Sequence, residues 1–181
     1  MDVQSRPGLN ADEMHCISVG YPIETGAEGS PGDAGFVVEY TAGEQVYISQ
    51  PEAVLWTKYL ISGICSSSPE RMQLCRKGLM ILSQNKYQLL YHLSALKPIR
   101  QGMGVHVRKE NNKTDVTFQI YIGKESYILS RLQRVLWSQA DGVSTLSQIL
   151  DKNRAQHSCS EDEIFEAIRG LTGCGLMFFR R

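Results

Sequence analysis

Residues 45–56 read QVYISQPEAVLW, and residues 126–137 of the same 181-residue chain read SYILSRLQRVLW. Each stretch is a short β-compatible run ending in serine, followed at helical distance by Val-Leu-Trp. What lies around the two copies decides the fold. Before the first, FVVEY and QVYIS flank the Gly-containing loop TAGE, the pattern of a hairpin beginning at Phe36. After it, Pro51 opens a helix that Gly63 stops. Ser68-Pro69-Glu70 caps a second helix, expected to run to about Leu82. Asn85 starts a third, KYQLLYHLSAL, with Leu89, Leu93 and Leu96 on one stripe, Tyr87 and Tyr91 on another, and Pro98 as its end.

The second copy sits in a similar string. Val105-His106-Val107 and Val116 to Ile122 are strands joined through the polar ENNKT, and a tight turn at Gly123-Lys124-Glu125 leads to SYILS. Helices follow over LSRLQRVLWSQA, over STLSQILDKNRA from Ser144, and over a final segment opened by Ser160. In that last helix Glu163 stands at the capping-box position, and Glu161 and Asp162 face the positive end of the dipole. Leu176 to Phe179 form a closing strand. On this reading each copy is a hairpin, three helices and a strand, with GMGVHVR from Gly102 matching GCGLMFFR from Gly173. The pattern implies an internal duplication in an α+β protein of two winged-helix-like modules. The expected limits are 35–108 and 109–181. Residues 1–34 form a mobile or partly docked segment, in which 16–19 and 21–23 are the candidate strand and ETGAEGSPGDAG is a loop.

Charge and cysteine usage exclude some classes. Lys plus Arg and Asp plus Glu balance at 19 each, so no whole-molecule field draws the chain to nucleic acid or an anionic membrane. The part up to Leu96 has 6 basic and 10 acidic residues, the rest 13 and 9, which makes the C-terminal part the better candidate for an anionic partner. The start of the chain lacks a secretory pattern and no apolar run approaches a membrane span. Five cysteines with no Cys-x-x-Cys suit a reducing compartment, so the expected location is the cytoplasm.

The second copy, SYILSRLQRVLWSQADGVSTLSQIL followed by EDEIFEAIRGLTGCGLMFF, resembles the small peptide-binding domain of pyrroloquinoline quinone biosynthesis and of enzymes that modify ribosomal peptides, the PqqD-like RiPP recognition element. The likeness covers about residues 115–180 and, more weakly, 36–108, and it lies in element order and apolar spacing. It implies non-covalent recognition: an extended peptide adds to the open edge of a small sheet and lays side chains against the third helix. The groove would then lie between Val116–Ile122 and the last helix, with Tyr121, Phe165, Arg169 and Thr172 as contacts, and Tyr87 and Tyr91 in the first module. The partner would be a peptide or protein, with a modifying enzyme or a second copy of the chain as candidates.

No hydrolase, zinc-protease, kinase, P-loop or dinucleotide motif is present, so catalytic residues, cofactor and metal ligands are all assigned as none. His157 and Cys159 with Cys174 lack paired spacing and a fourth ligand. Helix capping accounts for the acids at 161–163 more simply than acid/base chemistry. The alternative function is a DNA-binding regulator whose wing, Arg108, Lys109 and Lys113 with Lys124 nearby, touches phosphates. Against it, the last helix begins SEDEIFE and would bring carboxylates to a polyanion.

Overall fold

The computed structural model describes residues 13–23, 36–41, 43–60, 63–66, 68–108, 116–154 and 158–181. They form an α+β fold of small antiparallel sheets and six helices. The strands in the first half are β1 (Glu13–Ser18), β2 (Tyr21–Ile23), β3 (Phe36–Thr41), β4 (Glu44–Ile48), β5 (Gly63–Ser66) and β6 (Met80–Ser83). Its helices are α1 (Gln50–Lys58) and α2 (Pro69–Arg76), and α3 (Lys86–Ser94) follows. The second half contains β7 (Lys97–Arg100), β8 (Met103–Arg108), β9 (Val116–Ile122), β10 (Glu125–Ile128) and β11 (Met177–Arg180). Its helices are α4 (Arg131–Gln139), α5 (Leu146–Asn153) and α6 (Glu161–Gly173).

Both expected hairpins form: β3 pairs with β4, and β9 lies between β8 and β10. The helix starts follow their caps. Ser49, Ser130, Thr145 and Ser160 each sit at the head of a capping box, and the Asn85 side chain accepts from the Tyr87 and Gln88 amides.

Three expectations change. The second helix stops at Arg76, where Gly78 takes φ +74°, and Met80–Ser83 is a strand rather than a helical turn. Pro98 does not simply end α3; it lies in β7, paired with β11. Residues 13–23 are integral and not a loose extension, since β1 is the central strand of the sheet β5-β1-β6, β2 borders β3, and Cys16, Ile17 and Val19 are fully buried. The glycine loop at 24–35 lies outside the described residues.

The match between GMGVHVR and GCGLMFFR is also replaced. Residues 103–108 do not close the first half; they are β8, opening the second three-stranded sheet, so the expected boundary between Arg108 and Lys109 falls between two paired strands. A different correspondence appears in the hydrogen bonds. Trp56 Nε1 donates to Val19 O (3.0 Å) and Trp137 Nε1 to Gln101 O (2.9 Å), and each acceptor precedes a glycine with positive φ. Val19 N donates to Leu79 O and Gln101 N to Leu176 O; Ser18 N donates to Tyr59 O and Arg100 N to Ala140 O. Ser18 pairs with Met80 as Arg100 pairs with Met177. GLMFF at 175–179 and GLMIL at 78–82 thus make like hydrogen bonds, the one to β7 and the other to β1.

Two hydrophobic cores result, and strands divide their side chains between them. Cys16 and Met80 enter the core built around Trp56, Val38, Ile48 and Leu74, while Ile17 and Val19 enter the other with Leu89, Leu93, Leu136, Ile149 and Ile168. On β11, Phe178 enters the first core and Met177 and Phe179 the second. This is the alternation of a strand buried on both faces. Arg180 adds a polar tie, with Nη1 on Glu39 of β3 (3.1 Å) and Nη2 on Gly142 O (2.8 Å). Among the described residues no helix is long and apolar enough to cross a membrane.

Candidate functional site

The strand expected to border a peptide groove is not available for pairing. β9 is hydrogen-bonded to β8 on one side and β10 on the other, so the edges of this sheet are β8 and β10. Pairing sets the outward rows. Met103, Tyr121 and Ser126 face each other across the three strands, as do Val105, Gln119 and Ile128. Phe118, Ile120 and Ile122 point the opposite way, into the core. The outer face therefore carries Met103, Val105, Tyr121 and Ile128, all exposed and large, with Ile128 on the edge strand 69 % exposed. An apolar group of this kind on an outward sheet face is unusual unless something covers it. The first sheet has a related feature: Tyr47, two positions before Ser49 as Ile128 is before Ser130, is 54 % exposed on edge strand β4.

The polar groups at this edge are held locally. Tyr127, on the inward side of β10, donates its hydroxyl to Glu125, and that bond pushes its pKa up. Tyr121 donates to Gln119 Oε1 at 2.8 Å. Tyr127 packs against the core that also holds Leu171, near the C-terminal end of α6. Gly170 of α6 lies against Gln133 of α4, where a side chain would collide with the amide.

Of the other expected contacts, Phe165 is 7 % exposed and packs into the core, and Thr172 donates its hydroxyl to Ile168 O (3.0 Å) inside its own helix. Both side chains are buried, and the ring of His15 on β1 stands edge-on against Phe165. Arg169 is exposed, held by Glu166 at 2.9 and 2.5 Å. Tyr87 and Tyr91 are exposed on α3, but they border a different place, a cavity of about 300 Å3 enclosed by α3, α4, α5 and α6. Its wall is mainly Leu132, Val135, Leu136, Ile149 and Ile164, with Arg154 and Glu161 at the rim. No local pattern in the sequence marks this cavity, because its walls come from four helices. Ile128 was legible in principle, as the counterpart of Tyr47 in the opening echo.

Two of the four residues expected to touch nucleic acid are described. Lys109 and Lys113 lie outside the described residues. Arg108 ends β8 opposite Val116, while Lys124 is in the turn after Ile122, at the other end of β9. Seven residues of strand separate the two ends by roughly 20 Å. The N-terminus of α6 keeps its acids: Glu163 is held below the usual carboxylate range by the Ser160 amide and hydroxyl, and Asp162 pairs with Lys86 at 2.7 Å.

None of the five cysteines is in a disulfide. Among the described residues no group of three or more His, Cys, Asp or Glu side chains is placed to hold a metal ion. Comparison with family models, with curated proteins and with solved structures gives no match.

Proposed function

We propose that this is a non-catalytic, cytoplasmic recognition protein that takes an extended peptide, or an extended segment of a protein partner, as an added strand along β10. The observation that carries this reading is the outward apolar face Met103, Val105, Tyr121 and Ile128, which runs out to a strand paired on one side only among the described residues. An open edge offers backbone donors and acceptors in register, and long apolar edges are normally blocked because they recruit other chains. An added strand would set alternate side chains outward beside Ile128 and inward beside Tyr127 and the end of α6. The resemblance to the peptide-binding domain of ribosomal-peptide modification points the same way, with delivery of a peptide to a modifying enzyme as the biological setting.

The recurring hydrogen bonds support a duplicated origin, with winged-helix-like modules at 13–83 and 97–180 and α3 between them. In that arrangement β4 and Tyr47 form the counterpart of the β10 edge. DNA binding has less support, because Arg108 and Lys124 lie towards opposite ends of β9 and the last helix begins with acids.

The test is selection of linear peptides from a random display library against the full chain. Peptides enriched on the wild type should lose at least tenfold in affinity on Ile128→Glu, with the circular dichroism spectrum unchanged. Equal binding to both proteins would remove β10 as the site. Salt-sensitive binding of random duplex DNA in place of any peptide would turn the reading to nucleic acid.

A further inference from the structure

We infer that the cavity between α3, α4, α5 and α6 is a binding site for a small, uncharged molecule with an aromatic or similarly compact apolar body. This site is separate from the β10 edge and does not depend on the peptide reading. Its volume, about 300 Å3, is at the lower bound of small-molecule sites and would hold about ten waters' worth of ligand. The inner wall is aliphatic, from Leu132, Val135 and Leu136 on α4, Ile149 on α5 and Ile164 on α6. A charge placed against it would lose its hydration without recovering a partner.

The rim fixes the charge class. Among the described lining residues, two are formally charged, Arg154 and Glu161, and their signs are opposite. Arg154 already leans on Asp151 at 3.7 Å, and Glu161 sits in the first turn of α6, where the helix dipole favours it. Neither sign dominates, so a neutral ligand fits better than an acid or an amine. At the mouth, Tyr87 and Tyr91 stand four residues apart on one face of α3, and Tyr91 is 75 % exposed. Two aromatic rings beside an open apolar cavity suit a flat ring, which can stack on them as it enters.

The cavity also belongs to what distinguishes the halves. Val135 lines it, whereas Val54, at the same distance from its cap serine and its tryptophan, is 63 % exposed on α1. Among the described residues, no helix of the first half corresponds to α5 in the order of elements, so the first half lacks a counterpart of one of the four walls.

The experiment uses the full chain, isotope-labelled, titrated with indole, indole-3-acetate and tryptamine while amide resonances are followed. Indole should give saturable shifts at millimolar concentration or below, centred on residues of α3 to α6 that line the cavity. It should bind at least as tightly as either charged analogue. Ser94→Phe, which adds a ring at the edge of the space, should weaken indole at least tenfold. If that variant melts earlier than the wild type, the exposed Tyr91→Ala serves instead and should also weaken indole. No saturable shift with indole, shifts centred elsewhere, a charged analogue tighter by tenfold, or binding unaffected by the substitution would each overturn the assignment.

Discussion

His15 on β1 stands edge-on to Phe165 on α6, with ring centroids 6.4 Å apart and ring planes at 84°. The contact ties the first described strand to the last helix, so the side chain that looked like a groove residue is part of the packing between the halves. Phe165→Ala should therefore cost about 3–5 kcal/mol, the range for deleting a buried phenyl ring. Arg169→Ala, whose guanidinium reaches Glu166 on the exposed face of the same helix, should stay within about 0.5 kcal/mol. Urea midpoints at equal m-values measure both. Similar small losses would return Phe165 to the surface.

The same histidine gives the fold a sensitivity to acid. Burial, and after it the charge of Lys86, hold the His15 pKa below its ordinary value of about 6.5. The folded chain prefers neutral imidazole, so below that pH the unfolded chain binds more protons. The His15 contribution is whole above about pH 6.5 and is lost as pH falls through the folded value. The melting temperature of the wild type should drop more steeply than that of His15→Gln between about pH 7.5 and 5. Parallel curves would show that this ring does not titrate differently on folding.

Glu52 and Lys77 carry the corresponding argument in the first half. They meet at 2.6 Å, and the Glu52 side chain is almost fully buried at the third position of α1. Burial pushes its carboxyl up, but the Lys77 ammonium and the Ser49 amide and hydroxyl outweigh it and leave the pKa below the usual range. In α4 the same capping place is held by Gln133, which has no charge to satisfy. Glu52→Gln should therefore be tolerated, keeping the cap, whereas Lys77→Met leaves a buried carboxylate with its Ser49 hydrogen bonds but no counter-charge and should cost about 3 kcal/mol. Thermal melts of the two variants at neutral pH decide. A Glu52→Gln loss as large as that of Lys77→Met would mean the ion pair, not the stranded charge, sets the stability.

What the sequence disclosed and what it hid divide along a physical line. Local signals placed the hairpins, α3 to α6 and the caps Asn85 and Ser160, with the α5 cap one residue late at Thr145 instead of Ser144, because turn glycines, cap residues and apolar spacing act within a few residues. Residues 80–82 fit a helix as well as a strand because so short an apolar run has no decisive period, although Gly78 before it marks a stop. The candidate strand at 16–19 and 21–23 overlaps β1 and β2, but the central place of β1 is not legible, because its partners, β5 and β6, lie far along the chain. The expected match of Gly102 and Gly104 with Gly173 and Gly175 rested on glycine spacing alone, whereas the like hydrogen bonds of GLM at 78–80 and GLM at 175–177 depend on distant strands. At the site, Tyr121 lies on the face of β9 turned away from the core, not in a groove beside the last helix, and Phe165 and Thr172 are buried; which side of a helix a distant strand covers leaves no trace in helical periodicity.

The shared strands make a prediction about the whole molecule. β1 and β11 each send side chains into both cores, so neither core is complete without strands that the other also uses. Partial unfolding of one half would strip one face of these strands and expose apolar surface belonging to the other, which favours a single cooperative transition. Trp56 lies in one core and Trp137 in the other, and each is hydrogen-bonded to a backbone carbonyl that only the folded chain brings to it. In Trp137→Phe the remaining indole reports on the first core, and in Trp56→Phe on the second. Within each variant, the fluorescence midpoint in urea should coincide with the far-ultraviolet circular dichroism midpoint, which reports on all helices and strands. Fragments 35–108 and 109–181, which cut through the β8–β9 pair and omit β1, should each lack a cooperative transition. A fluorescence midpoint displaced from the dichroism midpoint in either variant, or a fragment that melts cooperatively, would mean that the halves fold independently and that β1 and β11 join them only after each core has formed.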